Sequence, residues 1–105
     1  MPAKTRKEQL EELLAEDPND PFVRYGLAME HASAGNDDEA VRCFGQLFAA
    51  TPDYVPGYMQ CGQALVRLGR IDEAREVYRT GITTAQTKGD QHASEEMQGM
   101  LEGIE

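Results

Sequence analysis

Side chains able to do chemistry are few in this chain and scattered. Cys43 and Cys61 are the only thiols, His31 and His92 the only imidazoles. No C-x-x-C pair and no Cys/His zinc spacing joins them. The cysteines therefore read as free thiols serving as small buried hydrophobes in a reducing compartment, ahead of a disulfide or a metal site. The histidines have no metal-ligand company along the chain and read as structural. Glu95 and Glu96 are adjacent, so on a helix they point to different faces and make no catalytic pair. Nucleophile-elbow, phosphate-loop, HExxH and EF-hand spacings do not occur. Catalysis needs polar groups converging in a pocket. With no such constellation, the expectation is a non-enzyme with no cofactor and no metal.

Charge narrows the partners. Ten basic residues against nineteen acidic ones leave a net charge of −9, which disfavours sequence-independent binding to nucleic acid phosphates. Arg67, Arg70, Arg75 and Arg79 form a local basic cluster. Either it receives an acidic partner segment, or Arg75 and Arg79 pair with Asp72 and Glu76 along one helix; the second is the simpler expectation. Lys4, Arg6 and Lys7 resemble the start of a secretion signal, but acidic residues from Glu8 to Glu12 stand where its apolar stretch would be. No apolar run approaches a membrane span. A cytoplasmic protein without membrane contact is expected.

The elements that must carry any site are organised by a repeat. Gly35-Asn36-Asp37-Asp38-Glu39-Ala40 returns 34 residues later as Gly69-Arg70-Ile71-Asp72-Glu73-Ala74, and Phe44 aligns with Tyr78, as Pro18 does with Pro52. A fixed period of about 20–50 residues marks a stacked-repeat protein. Each copy has the chemistry of a helical corner. Gly35 and Gly69 suit the left-handed backbone that closes a helix. Asn36, with Glu39 three residues on, fits a capping box, whereas Arg70 cannot cap. Acidic first turns suit the helix dipole, and Ala40 and Ala74 allow a close crossing.

Apolar periodicity then predicts six helices and no strand. Residues 3–16 carry a narrow stripe of Leu10, Leu13 and Leu14 and end at the turn 17–21, where Asn19 or Asp20 can cap. The helix over 21–34 is apolar on most sides: Val23 and Leu27 on one, Ala28 and Ala32 on another, Phe22, Tyr25 and Met29 on a third. Such a helix is either enclosed by neighbours or presents a binding surface. Residues 37–50 carry a stripe from Ala40 to Phe48, with Gly45 implying close packing. The helix over 54–68 follows Asp53 as N-cap, with Tyr58, Cys61, Leu65 and Leu68 inward. Residues 71–86 and 91–103 complete the set.

These features resemble the tetratricopeptide repeat family. The family pattern wants a small residue in the first helix (Ala28, Gly62), Gly before the corner and Ala after it (Gly35 and Ala40; Gly69 and Ala74), an aromatic next (Phe44, Tyr78) and a closing proline (Pro52). The chain departs from it where Arg24, His31, Leu65 and Gln86 stand at the family's aromatic and proline positions. The resemblance implies an all-α, right-handed α-α superhelix: a single unit over 1–105, with a leading half-repeat helix at 3–18, repeat one at 21–54, repeat two at 55–88 and a capping helix at 90–104. It also implies that the first helix of each pair lines a concave groove for a peptide or protein partner.

The groove positions map to Phe22, Tyr25, Met29 and Ser33, and to Pro56, Met59, Gln63 and Arg67. The helical wheel leaves Phe22, Tyr25 and Met29, with Met59 at the wheel position of Tyr25, free of core packing, and puts Gln60, Gln63 and Arg67 on the same side. Phe22, Tyr25, Met29 and Met59 are the expected apolar anchors, with Gln60, Gln63 and Arg67 as polar ones. The alternatives are that the last helix covers this face, or that a second copy does, giving a homodimer. Where chaperone-binding members carry a Lys/Asn/Arg clamp for a C-terminal carboxylate, this chain has Tyr25, Met29, Met59 and Gln63, which disfavours that ligand.

Overall fold

Three helix ends close in the same way and set the course of the chain. Gly35, Gly69 and Gly89 have φ of +81°, +77° and +74°, the left-handed region that only glycine enters without strain. After each, the next N–H reaches back five residues: Asn36 to the His31 carbonyl at 2.9 Å, Arg70 to Leu65 at 2.9 Å, and Asp90 to Ala85 at 2.8 Å. This is the Schellman closure, which satisfies carbonyls left open at a helix end. A computed structural model describes residues 3–105; residues 1 and 2, part of the single unit expected over 1–105, lie outside the described residues. Six helices result: α1 (Arg6–Glu16), α2 (Pro21–Ser33), α3 (Asp37–Ala50), α4 (Val55–Arg67), α5 (Ile71–Thr87) and α6 (Gln91–Glu102). No strand occurs among the described residues, and no helix among them is long and apolar enough to cross a membrane.

The chain is an all-α helical repeat array. Each helix packs on the next in sequence, and α4 also touches α2 and α6. Its radius of gyration is 14.2 Å, against about 13 Å for a compact fold of this length, and its extents of 49 × 28 × 20 Å confirm an elongated stack. The main core runs from Ala28 through Phe44, Leu47, Tyr58, Leu65 and Tyr78 to Met97. A smaller cluster of Leu10, Val23 and Leu27 joins α1 to α2. This explains why α2 is apolar on most sides. Val23 and Leu27 face α1, while Ala28, Tyr25, Met29 and Ala32 face the main core.

Several local expectations need correction. Helix α1 starts at Arg6, not residue 3, because Thr5 caps it: its hydroxyl accepts from the Glu8 N–H at 3.1 Å in a capping box. Asn36 makes no side-chain cap bond; the acidic first turn of Asp37, Asp38 and Glu39 meets the helix dipole instead. Asp53 does not cap α4, since Tyr54 holds the N-cap position and Asp53 takes the Lys88 ammonium at 3.3 Å. Leu13, placed in the α1 stripe, is 49% exposed. Gly45 does not mark close packing: a Cβ there would meet nothing within 4 Å. Asp20, by contrast, caps α2, accepting from Phe22 N–H at 3.0 Å and Val23 N–H at 3.4 Å, and Pro21 sits in the first turn, where no N–H is needed.

Candidate functional site

Helices α2 and α4 lie in contact, so the face they share is continuous across both repeats. Tyr25 anchors it. Its ring centroid is 5.4 Å from that of Tyr54 and 6.3 Å from that of Phe44, within the range of favourable tilted aromatic pairs. Burial, and secondarily the nearby Tyr54, pushes its phenol up from the ordinary value. Met29 and Met59 are also half-buried, packed against the main core. These three side chains, expected to stand free of core packing, are thus partly used by the stack itself. Phe22, in the first turn of α2, is 66% exposed, and Ser33 and Pro56 are exposed as well.

Two of the polar members, Gln63 and Arg67, have partners inside the chain. The Gln63 amide nitrogen lies 3.9 Å from the Met100 sulfur of α6, and Gln60 is half-buried. Arg67 grips Asp37 with Nε at 3.1 and 3.2 Å from the two carboxylate oxygens and a terminal nitrogen at 2.9 Å. This bidentate pair ties the end of α4 to the start of α3 and pushes the Arg67 guanidinium further up. Helix α6 packs on α5 and reaches α4, but does not contact α2. The α2 part of the face is therefore left open. Sequence reasoning did not single out Tyr54 or Met100; neither belongs to the 34-residue pattern, and only the fold brings them beside Tyr25 and Gln63.

The rest of the basic cluster is internally paired. Arg75 donates to Asp72 at 2.7 Å and to the Ile104 carbonyl at 2.8 Å. Arg79 lies 3.5 Å from Glu76 and 3.6 Å from Glu105, and Arg70 pairs with Glu73. No unpaired basic patch is left among these four.

The thiols are free. Burial pushes the Cys61 thiol up to about 12, and burial with the Glu39 charge pushes Cys43 up as well. His92 is exposed beside Glu96. His31 is different: folding brings Glu39 and Cys43 beside it, with one donor atom from each of the three all within 4.8 Å of one another. The signal was the Glu39/Cys43 spacing of four, which puts both on one face of α3; its partner on α2 could not be seen from spacing alone.

Comparison with known proteins agrees with this architecture. The tetratricopeptide repeat family matches residues 55–88. A TPR repeat-containing protein of Pseudomonas aeruginosa is 30% identical over 98 residues, 93% of each chain. The solution structure of a tetratricopeptide repeat domain protein from Salinibacter ruber is 39% identical, with a TM-score of 0.79 over 85% of this chain and 90% of that one. The chain belongs to the tetratricopeptide repeat family. A likeness of fold extends to PcrH, solved in complex with the chaperone binding region of PopD: TM-score 0.87, 16% identity, covering 93% of this chain and 74% of that chain.

Proposed function

We propose that the chain is a protein–protein interaction module that takes a segment of a partner protein against the face shared by α2 and α4. The observation that carries this reading is Phe22, 66% exposed on the same helix as Tyr25 and Met29, on the part of the face that α6 does not reach. An aromatic side chain in water, on a helix that also carries half-buried Met29, offers an apolar anchor at little cost to the fold. Ser33 and Gln60 add hydrogen-bonding groups elsewhere on α2 and α4, while Gln63 and Arg67 are engaged with Met100 and Asp37. Proteins of this family are in general non-enzymatic scaffolds, and the PcrH complex provides a fold of the same kind with a partner segment bound.

The pairing of Arg67 with Asp37 disfavours a partner held chiefly by a carboxylate, since binding one would break a bidentate bond already made. An apolar or uncharged segment fits better. The test compares capture of proteins from the native lysate by wild type and by Phe22→Asp, with light scattering run on both. A monomeric wild type whose captured partner is lost in Phe22→Asp supports the reading. Equal capture by both sinks it, and a dimer that Phe22→Asp dissociates assigns the face to a second copy instead.

A further inference from the structure

We propose that His31, Glu39 and Cys43 form a binding site for a zinc-class divalent cation across the first helical hairpin. His31 is in the last turn of α2, Glu39 in the first turn of α3, and Cys43 one turn further along the same face. His31 and Cys43 are half-buried, Glu39 stands at the rim with its side chain 39% exposed, and the three ligand atoms lie within 4.8 Å of one another. In a tetrahedral zinc site, bonds of about 2.0–2.3 Å put the donors roughly 3.3–3.8 Å apart. Rotation of side chains, on the backbone as it stands, has about an ångström to close.

The donor set selects the metal. One imidazole nitrogen, one thiolate sulfur and one carboxylate oxygen suit a borderline-soft ion. Calcium and magnesium prefer oxygen throughout. Three protein ligands leave a fourth position for water, and His31 and Cys43 border a cleft of ≈ 370 Å³ that Glu11, Leu14, Ala15, Leu27, Arg42 and Gln46 complete. On binding, the Cys43 thiol gives up its proton to solvent.

One group competes with the cation. Arg42 donates its Nε–H to Glu39 at 3.0 Å, and a metal must displace that guanidinium. Arg42 is 58% exposed and free to swing into water, so displacement costs no core packing. Removing this competitor therefore strengthens metal binding, a gain that misfolding cannot imitate. Bound metal also staples α2 to α3.

The test is a cobalt(II) titration of the reduced, tag-free full chain, followed by displacement with zinc. Expected are saturation at one equivalent, a thiolate-to-cobalt charge-transfer absorption bleached by zinc, and a higher Tm with zinc bound. Cys43→Ser loses the band and Cys61→Ala keeps it. His31→Gln weakens binding by at least the ~10-fold that loss of even an outer-shell partner costs. Arg42→Ala tightens it several-fold. Absence of a saturable band, the same band from Cys43→Ser, or unchanged affinity in Arg42→Ala overturns the proposal.

Discussion

Gly62 of α4 lies directly under the ring of Tyr78 of α5. A Cβ at position 62 would stand 2.8 Å from Tyr78 Cδ1 and closer still to Cε1 and Cζ, inside any normal contact distance. Both residues are buried, so neither side can give without disturbing the core. Gly62→Ala is expected to destabilise the fold by about 1–3 kcal/mol, the usual cost of overpacking. Gly45 in α3 is the matched control: a Cβ there meets nothing, and Gly45→Ala should stabilise by about 0.5–1 kcal/mol through helix propensity. Urea denaturation of the two variants checks the pair. Equal effects would show that propensity, not the crossing, governs both.

The Arg67–Asp37 bond joins the second repeat to the first. Asp37 is only 14% exposed and Arg67 48%, and the geometry is bidentate. Exposure of the arginine holds its worth to about 1 kcal/mol, the upper end for pairs open to solvent. The Arg42–Glu39 pair lies within one helix turn and both its members are open to solvent, so it should contribute less. A double-mutant cycle on Arg67 and Asp37 should give the larger coupling, and salt should weaken it incompletely. Coupling no larger than that of the Arg42 pair would show that the repeats are held by apolar packing alone.

Alkaline pH should loosen the fold. Burial raises the Cys61 thiol from 9.0 to about 12 and raises the phenols of Tyr25, Tyr54, Tyr58 and Tyr78. A raised folded-state value means that the unfolded chain loses its proton first. The stabilisation is complete below pH 9.0 and, for Cys61, is lost as pH climbs towards 12. Melting temperature followed from pH 8 upwards should fall in that window, and Cys61→Ala should fall less steeply. The same burial predicts that Cys43, half-buried, reacts with a thiol reagent well before Cys61 in the native protein.

Most of the scaffold was legible because it is local. A left-handed glycine, an acidic first turn and a small residue at a crossing are properties of short stretches, and Gly35 and Gly69 behave as their neighbours in sequence imply. Gly89 closes its helix in the same way, yet sits 20 residues after Gly69, so a search at a spacing of 34 passes it by. The candidate site was less legible because long-range packing decides it. A helical wheel places Tyr25, Met29 and Met59 on the side away from α2 and α4 core stripes, but cannot show that the ring of Tyr54 reaches Tyr25. Nor can it show that Asp37 occupies Arg67. The meeting of His31 with Glu39 and Cys43 was invisible for the same reason, since His31 comes from a different helix.

Phe22 and Tyr25 share an expected role as apolar anchors, but their surroundings predict opposite responses. Phe22 is 66% exposed, so Phe22→Asp should change stability by no more than about 0.5 kcal/mol, as for ordinary surface positions. Its new carboxylate also falls in the first turn of α2, where the helix dipole favours it. Tyr25 packs on Tyr54 and Phe44. Truncating it removes contacts that join α2 to α3 and to the residue capping α4, and Tyr25→Ala should cost about 2–3 kcal/mol, below the 3–5 kcal/mol of a fully buried aromatic. Thermal melts of the two variants separate them before any partner is added. A folded Phe22→Asp isolates recognition from folding, whereas a binding defect in Tyr25→Ala would be confounded by lost stability. If Phe22→Asp unfolds the chain, the exposed ring is a structural element and the face has no spare apolar anchor to offer.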